Sequence, residues 1–236
     1  MIEIKNISKT FKENTVINNL SLTVKSSQIT ALVGKNGSGK TTLMRLISGL
    51  LKPDSGTILC DRKNLGILIG GDVNLYENLT GYENLKYFAF LHNMSKKDFY
   101  SRYYELNEIL KFNDFINERT SMYSRGMKQK IAFASAIIHN PNTILLDEPS
   151  TGLDILTASD VISFIKYCKD NSKTILISTH NISEIADLSD NIAILSSKKI
   201  ILQSNSNDFF ADCKKEEKLI KLRNILGDEK IEQNIV

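Results

Sequence analysis

Several common routes to a function are closed by what this 236-residue chain has little of. It carries three cysteines, Cys60, Cys168 and Cys213, odd in number, far apart and in no C-x-x-C spacing. That excludes a disulfide framework or a thiolate metal site, and reduced thiols are expected. It carries three histidines, His92, His139 and His180, which share no metal-ligand spacing. Charge of one sign is also lacking: Lys+Arg is 30 against Asp+Glu 27, a net charge of +3. No nucleic-acid partner is expected from that balance. No apolar run approaches the roughly 20 residues that span a bilayer. The longest are short and bounded by polar residues, as in Thr143-Ile144-Leu145-Leu146. The opening Met1-Ile2-Glu3-Ile4-Lys5 alternates like a strand and is unlike a signal peptide. A cytosolic chain is expected, with any membrane role supplied by a partner. Internal repeats and low-complexity segments are absent.

What is present suits one large domain with room for a subdomain, since 42% of residues are hydrophobic. Residues 1–5, 20–24 and 29–33 read as strands, with a turn at Lys25-Ser26-Ser27. A helix is expected over 40–50, with Leu43, Leu46, Ile47 and Leu50 as its apolar stripe. Lys52-Pro53-Asp54-Ser55-Gly56 is a turn signal, followed by strands at 57–60 and 65–69. From Thr80 the pattern is helical through much of 80–111. Thr80 with Glu83 makes a capping box, and Ser95 with Asp98 a similar start. Ser124 reads as the cap of a helix to about residue 139. Strands at 144–147 and 173–178 then alternate with helices at 155–169 and 182–188. A terminal hairpin pairs 192–195 with 200–203. Beyond Ser204 the chain is charged and helix-prone, and a frayed tail is expected over 227–236.

The most informative segment is Gly34-Lys35-Asn36-Gly37-Ser38-Gly39-Lys40-Thr41. It fits the phosphate-binding pattern G-x-x-x-x-G-K-[ST] at every fixed position, after a buried strand and before a helix. Gly34, Gly37 and Gly39 let the backbone turn its N–H groups into an anion nest. Lys40 can reach the β- and γ-phosphates, and the Thr41 hydroxyl can ligate Mg²⁺. The helix that follows aims its positive end at the phosphates.

A second motif turns nucleotide binding towards hydrolysis. Ile144-Leu145-Leu146-Asp147-Glu148 is an apolar run ending in two carboxylates. A buried strand delivers both to one spot at its carboxyl end. Asp147 suits Mg²⁺, and Glu148 suits orienting or deprotonating the attacking water. By itself the stretch reads equally well as an exposed acidic turn. Lys40 upstream favours the catalytic reading.

Three further segments carry a family resemblance. Ser124-Arg125-Gly126-Met127-Lys128-Gln129, shortly before the acidic strand, resembles the signature of ATP-binding cassette (ABC) ATPases. Ser150-Thr151-Gly152-Leu153-Asp154 resembles that family's D-loop, and His180 its switch histidine. Order and spacing match over about residues 1–205. The resemblance implies an α/β fold: a P-loop NTPase core, an N-terminal antiparallel β-subdomain and an inserted α-helical subdomain near 72–140. Residues 206–236 would form a C-terminal helical extension and tail.

The resemblance further implies ATP and Mg²⁺ as ligands and a working pair of cassettes. ATP would lie between the phosphate loop of one and the signature of the other. Catalysis would fall to Glu148, His180 and Lys40. Nucleotide contacts would come from Phe11, Gly34, Asn36, Gly37, Ser38, Gly39, Lys40, Thr41, Thr42, Ser124 and Gly126, and metal contacts from Thr41 and Asp147. Phe11 would stack on adenine; otherwise it is a plain core phenylalanine. Asp154 would organise the subunit interface. The signature departs from the usual pattern: Tyr123 fills the Leu position, Arg125 that of the first Gly and Met127 that of Gln. The family's loop Gln falls on Gly71, leaving either Asp72 or no side chain for its metal role.

The run from Leu75 to Leu85 resembles bacterial exporter cassettes that pair with a separate permease. It implies an ATPase subunit on the cytoplasmic membrane face, as homodimer or heterodimer, with the permease docking near 70–82. Exporters of this kind handle drugs, antimicrobial peptides, sodium or lipid-linked cargo. The alternative is a soluble cassette in translation, DNA repair or cluster assembly. The single cassette and the lack of a long coiled-coil insertion or strong basic excess speak against it.

Overall fold

The structure, a computed structural model, describes residues 1–69, 75–179 and 188–211. The expectations for Gly71, Asp72, His180, Cys213, the helix at 182–188 and the tail beyond 211 lie outside these residues, wholly or nearly so.

The centre is a six-stranded sheet in the order β5-β6-β7-β3-β8-β9. Its members are β5 (Leu65–Leu68), β6 (Thr143–Asp147), β7 (Thr174–Ser178), β3 (Ile29–Val33), β8 (Asn191–Ser196) and β9 (Lys199–Asn205). The first five run parallel, and β9 returns antiparallel to β8. β3, β6 and β7 are buried at every residue, as short continuous apolar runs require of strands covered on both faces. Alternation along each strand then splits the core in two. Ile29, Ala31 and Val33 join Ile144, Leu146, Ile175 and Ile177 on one face. Leu32, Leu145, Leu176, Ala193 and Leu195 join the other.

On that second face lies α1 (Lys40–Ser48) with a three-stranded antiparallel sheet, β2-β1-β4. Its strands are β1 (Ile2–Phe11), β2 (Asn14–Val24) and β4 (Ser55–Leu59). The first two are longer than their alternation suggests. β1 continues past Lys5 because Asn6, at φ 50°, sits where the β1–β2 register slips between Ile4 and Ile7. Such a bulge breaks the period without ending the strand. Asn19, at φ 49°, lies within β2 in the same way. Lys12 and Glu13 alone close the hairpin, with none of the usual Asn-Gly chemistry.

Helix α1 stops earlier than expected. Gly49 takes a left-handed conformation at φ 84° and its N–H bonds to Leu46 O. The stripe is therefore Leu43, Leu46 and Ile47, all fully buried, while Leu50 is 66% exposed.

The other face is covered by α2 (Gly81–Leu91), α3 (Lys96–Leu110), α4 (Arg125–Ile137) and α5 (Ile155–Asp170). Their starts follow the capping chemistry read from the sequence. Thr80 and Glu83 form a reciprocal capping box, and Ser95 accepts from Asp98 N. Ser124 caps α4 by accepting from Met127 N at 3.2 Å. A short α6 (Ser206–Phe209) follows β9.

Candidate functional site

The strand order brings the carboxyl ends of β6, β7 and β3 side by side, where α/β sheets bind ligands. The loop after β3 is the glycine octet. Gly39 is the N-cap of α1 at φ 105° and makes no side-chain cap bond, and the first turn holds no acidic residue. The helix start thus presents its N–H groups and positive end outward, the arrangement that takes an anion. The Ser38 hydroxyl is buried with no hydrogen-bond partner among the described residues, a buried polar atom suited to a phosphate oxygen. Gly34 is required by close approach: a Cβ there would lie 2.6 Å from the Leu195 carbonyl oxygen. Lys40 is 6% exposed, and its Nζ donates to the Gly34 carbonyl at 2.7 Å and the Lys35 carbonyl at 3.2 Å.

The two carboxylates stand opposite this loop. Thr41 Oγ1 donates to Asp147 Oδ2 at 2.6 Å, and Ser178 Oγ, at the end of β7, donates to Asp147 Oδ1. Asp147 is 5% exposed, so these bonds hold a buried acid whose oxygens meet Thr41. That is a hard-oxygen pair of the kind Mg²⁺ takes. Glu148 Oε1 lies 3.6 Å from Lys40 Nζ. Its backbone N–H reaches both the hydroxyl and the carbonyl of Ser178, at 3.1 and 3.0 Å. Glu148 sits at φ 51°, a left-handed conformation that a non-glycine residue holds only when its surroundings impose it.

A cleft of about 450 Å³ runs between the loop and Glu148, lined by Asn36, Gly37, Gly39, Lys40, Thr41, Thr42, Glu148, Val16 and Thr151. Seven of these residues are expected from the sequence. Val16, from β2, and Thr151 are additions, and so is Ser178 beneath Asp147. Val16 and Ser178 bear no local signal, because only tertiary packing places them, while Thr151 falls in the D-loop-like segment three residues after Glu148. Phe11 stands apart, 42% exposed, with Lys9 Nζ 5.5 Å from its ring centroid, so it is not a core phenylalanine. Ser124 and Gly126 do not line the cleft. They open α4 on the surface, a second helix start able to meet an anion from another chain. Asp154 caps α5: the Thr157 backbone N–H and hydroxyl hold its carboxyl below the usual range.

One pairing is unannounced in the sequence. His92 and His139 stack face to face with ring centroids 3.5 Å apart, beside a cavity of about 370 Å³ walled by Leu65, Ile67, Phe88 and Ala136. Burial and the neighbouring His92 push His139 down to about 4.

Fold and site define a phosphate-loop nucleotide hydrolase with a parallel core sheet. The ABC transporter family model matches residues 17–151. The ABC transporter ATP-binding protein NatA of Bacillus subtilis is 35% identical over 216 residues, covering 85% of this chain and 88% of that protein. The lantibiotic transport ATP-binding protein SrtF of Streptococcus pyogenes is 32% identical, covering 86% and 90%. Among solved structures, the ATP-binding cassette MJ0796, as a dimer in a post-hydrolysis state bound to ADP and Pi, superposes with TM-score 0.79 at 26% identity. That match covers 87% of this chain and 99% of that one. The chain belongs to the ABC transporter family: it is an ATP-binding cassette and an ATPase.

Proposed function

We propose that this cassette powers an exporter, as the ATPase subunit of a complex with a separate membrane permease. Support comes from the character of its relatives. Besides SrtF, the bacitracin transport protein BcrA of Enterococcus faecalis is 35% identical, covering 88% of this chain and 70% of that protein. The SkfA peptide export protein SkfE of B. subtilis is 28% identical, covering 97% and 99%. Among the described residues no helix is long and apolar enough to cross a membrane. The chain would accordingly work at the cytoplasmic membrane face, held there by its permease.

In this reading the N–H nest of Gly34 to Gly39, with Asn36, Ser38, Lys40 and Thr42, binds the triphosphate. Phe11 stacks on adenine, which its exposure allows. Thr41 and Asp147 would hold Mg²⁺, which would supply positive charge against the phosphates. Glu148 orients or deprotonates the attacking water, and His180 contacts the γ-phosphate. A second cassette, identical or homologous, supplies Ser124 and Gly126 at its α4 start, so that ATP closes the pair. The exposed position of Ser124, away from the chain's own cleft, carries this step.

Two measurements test the reading. The tagged chain is purified from detergent-solubilised host membranes. A polytopic membrane protein in stoichiometric amount is expected, and soluble partners alone would refute the permease assignment. Sedimentation of Glu148→Gln should show a dimer in ATP and a monomer in ADP. A monomer in both would refute the sandwich.

A further inference from the structure

The start of α4 is fastened at two points to the turn that follows Glu148. Arg125 Nη2 donates to the Thr151 carbonyl at 2.9 Å. One helical turn on, Gln129 Nε2 donates to the Pro149 carbonyl at 3.0 Å. Residues four apart share a helix face, so both bonds leave from one side. The guanidinium lies directly over Gly152, where a Cβ would be 2.3 Å from Nη1. Gly152 is at φ 72°, so the turn needs glycine for its backbone as well as its lack of a side chain. Gly126 is also closely set: a Cβ there would be 2.8 Å from Thr157 Oγ1 in the first turn of α5.

The clamped turn in its turn holds the carboxylate. Thr151 N donates to the Glu148 carbonyl at 3.2 Å, and Thr151 Oγ1 donates to Glu148 Oε2 at 2.9 Å. The other carboxylate oxygen, Oε1, is the one 3.6 Å from Lys40 Nζ. An unbroken path therefore runs from the α4 start through Arg125 and Thr151 to Glu148.

We propose that Arg125 is a positioning residue for Glu148, tying the helix end that meets a second cassette's nucleotide to this chain's own water-activating carboxylate. The proposal rests on the sandwich reading above. Its physical basis is the left-handed backbone of Glu148, which persists only while neighbouring bonds over-determine it. Thr151 supplies one such bond to the side chain and Arg125 fixes Thr151. A guanidinium suits the task because its planar fork is pre-organised, where a lysine amine is a point charge on a flexible stem. Displacement of α4 by a nucleotide on the neighbouring chain then shifts Thr151 and with it Glu148. Hydrolysis in one site becomes sensitive to occupancy of the other.

The test is a kinetic double-mutant cycle on the purified full chain, read as phosphate release against ATP concentration. Arg125→Ala and Thr151→Val should each lower kcat about tenfold, the scale of a lost hydrogen bond to an ionised group. KM for ATP should stay within about twofold, because Lys40 and its loop are untouched. The double variant should be no slower than the slower single, since both cut one path. Thr151→Ser should keep the parent rate and Arg125→Lys should recover part of it, which generalised structural damage would not produce. Losses that multiply in the double variant, a change confined to KM, or an unchanged kcat would each overturn the proposal. Sedimentation of Glu148→Gln in ATP is scored separately. A missing dimer removes the sandwich, while the cycle alone decides whether Arg125 positions Glu148.

Discussion

The Thr41 hydroxyl, at the start of α1, donates a 2.6 Å hydrogen bond to Asp147, 106 positions later at the end of β6. The two motifs are thereby a single site. Ser178 holds the other Asp147 oxygen, so a residue outside either motif sets the direction of the acid.

Ser178→Ala should lower ATPase activity about tenfold, the scale of a hydrogen bond to a charged group, and raise the Mg²⁺ concentration needed for half-maximal rate. Thr41→Ala should do the same and Thr41→Ser should not. Phosphate release titrated with Mg²⁺ checks this. A Ser178→Ala rate equal to the parent would show that β7 does not orient Asp147.

Gly34 and Gly37 separate two reasons for glycine. At Gly34 a Cβ would meet a backbone oxygen at 2.6 Å, which cannot yield as a side chain would. Gly34→Ala should cost about 1–3 kcal/mol of stability and weaken ATP binding at least tenfold, as overpacking does. Gly37 has open space but φ 78°, so alanine there costs only about 1–2 kcal/mol of backbone strain. Thermal melts with and without ATP measure both, and equal losses in binding would contradict the assignment.

Phe11 is exposed and contributes little to the core, so Phe11→Ala should leave the melting temperature nearly unchanged. The same variant should weaken ATP binding about two- to tenfold, the scale of one aromatic stacking contact, and Phe11→Tyr should restore it. Binding of inorganic triphosphate should be unaffected, which separates stacking from phosphate contacts.

His139 sets a pH limit on stability. Its folded pKa, about 4, lies below the unfolded value near 6.5, so the unfolded chain binds more protons between them. Stability is therefore full above about pH 6.5 and falls as pH drops towards 4. Urea midpoints at pH 7.5 and 5 should differ, and His139→Leu should shrink the difference. An unchanged difference would assign the acid loss to other groups.

Legibility in the sequence tracked the range of the physics involved. Capping at Thr80, Ser95 and Ser124 was readable because the cap and the N–H that donates to it lie within three residues. The strands β3, β6 and β7 were readable because burial on both faces demands unbroken apolar runs. The first two strands were underestimated because bulges at Asn6 and Asn19 interrupt the two-residue period that reveals a strand. Leu50 was misjudged because helical periodicity continues in the letters after Gly49 has ended the helix.

By itself the sequence marks the octet beginning at Gly34 as a phosphate-binding loop and points to Asp147 and Glu148 as its candidate acids. Those assignments rest on local backbone geometry and on residue chemistry, both of which act over a few positions. Only the tertiary structure decided that Ser178 aims Asp147 and that Arg125 reaches across to anchor Thr151. These partners come from separate strands, turns and helices, joined by parallel pairing and by α4 packing against α5. No local pattern encodes that meeting, because the distance between two side chains is set by the whole path of the chain between them.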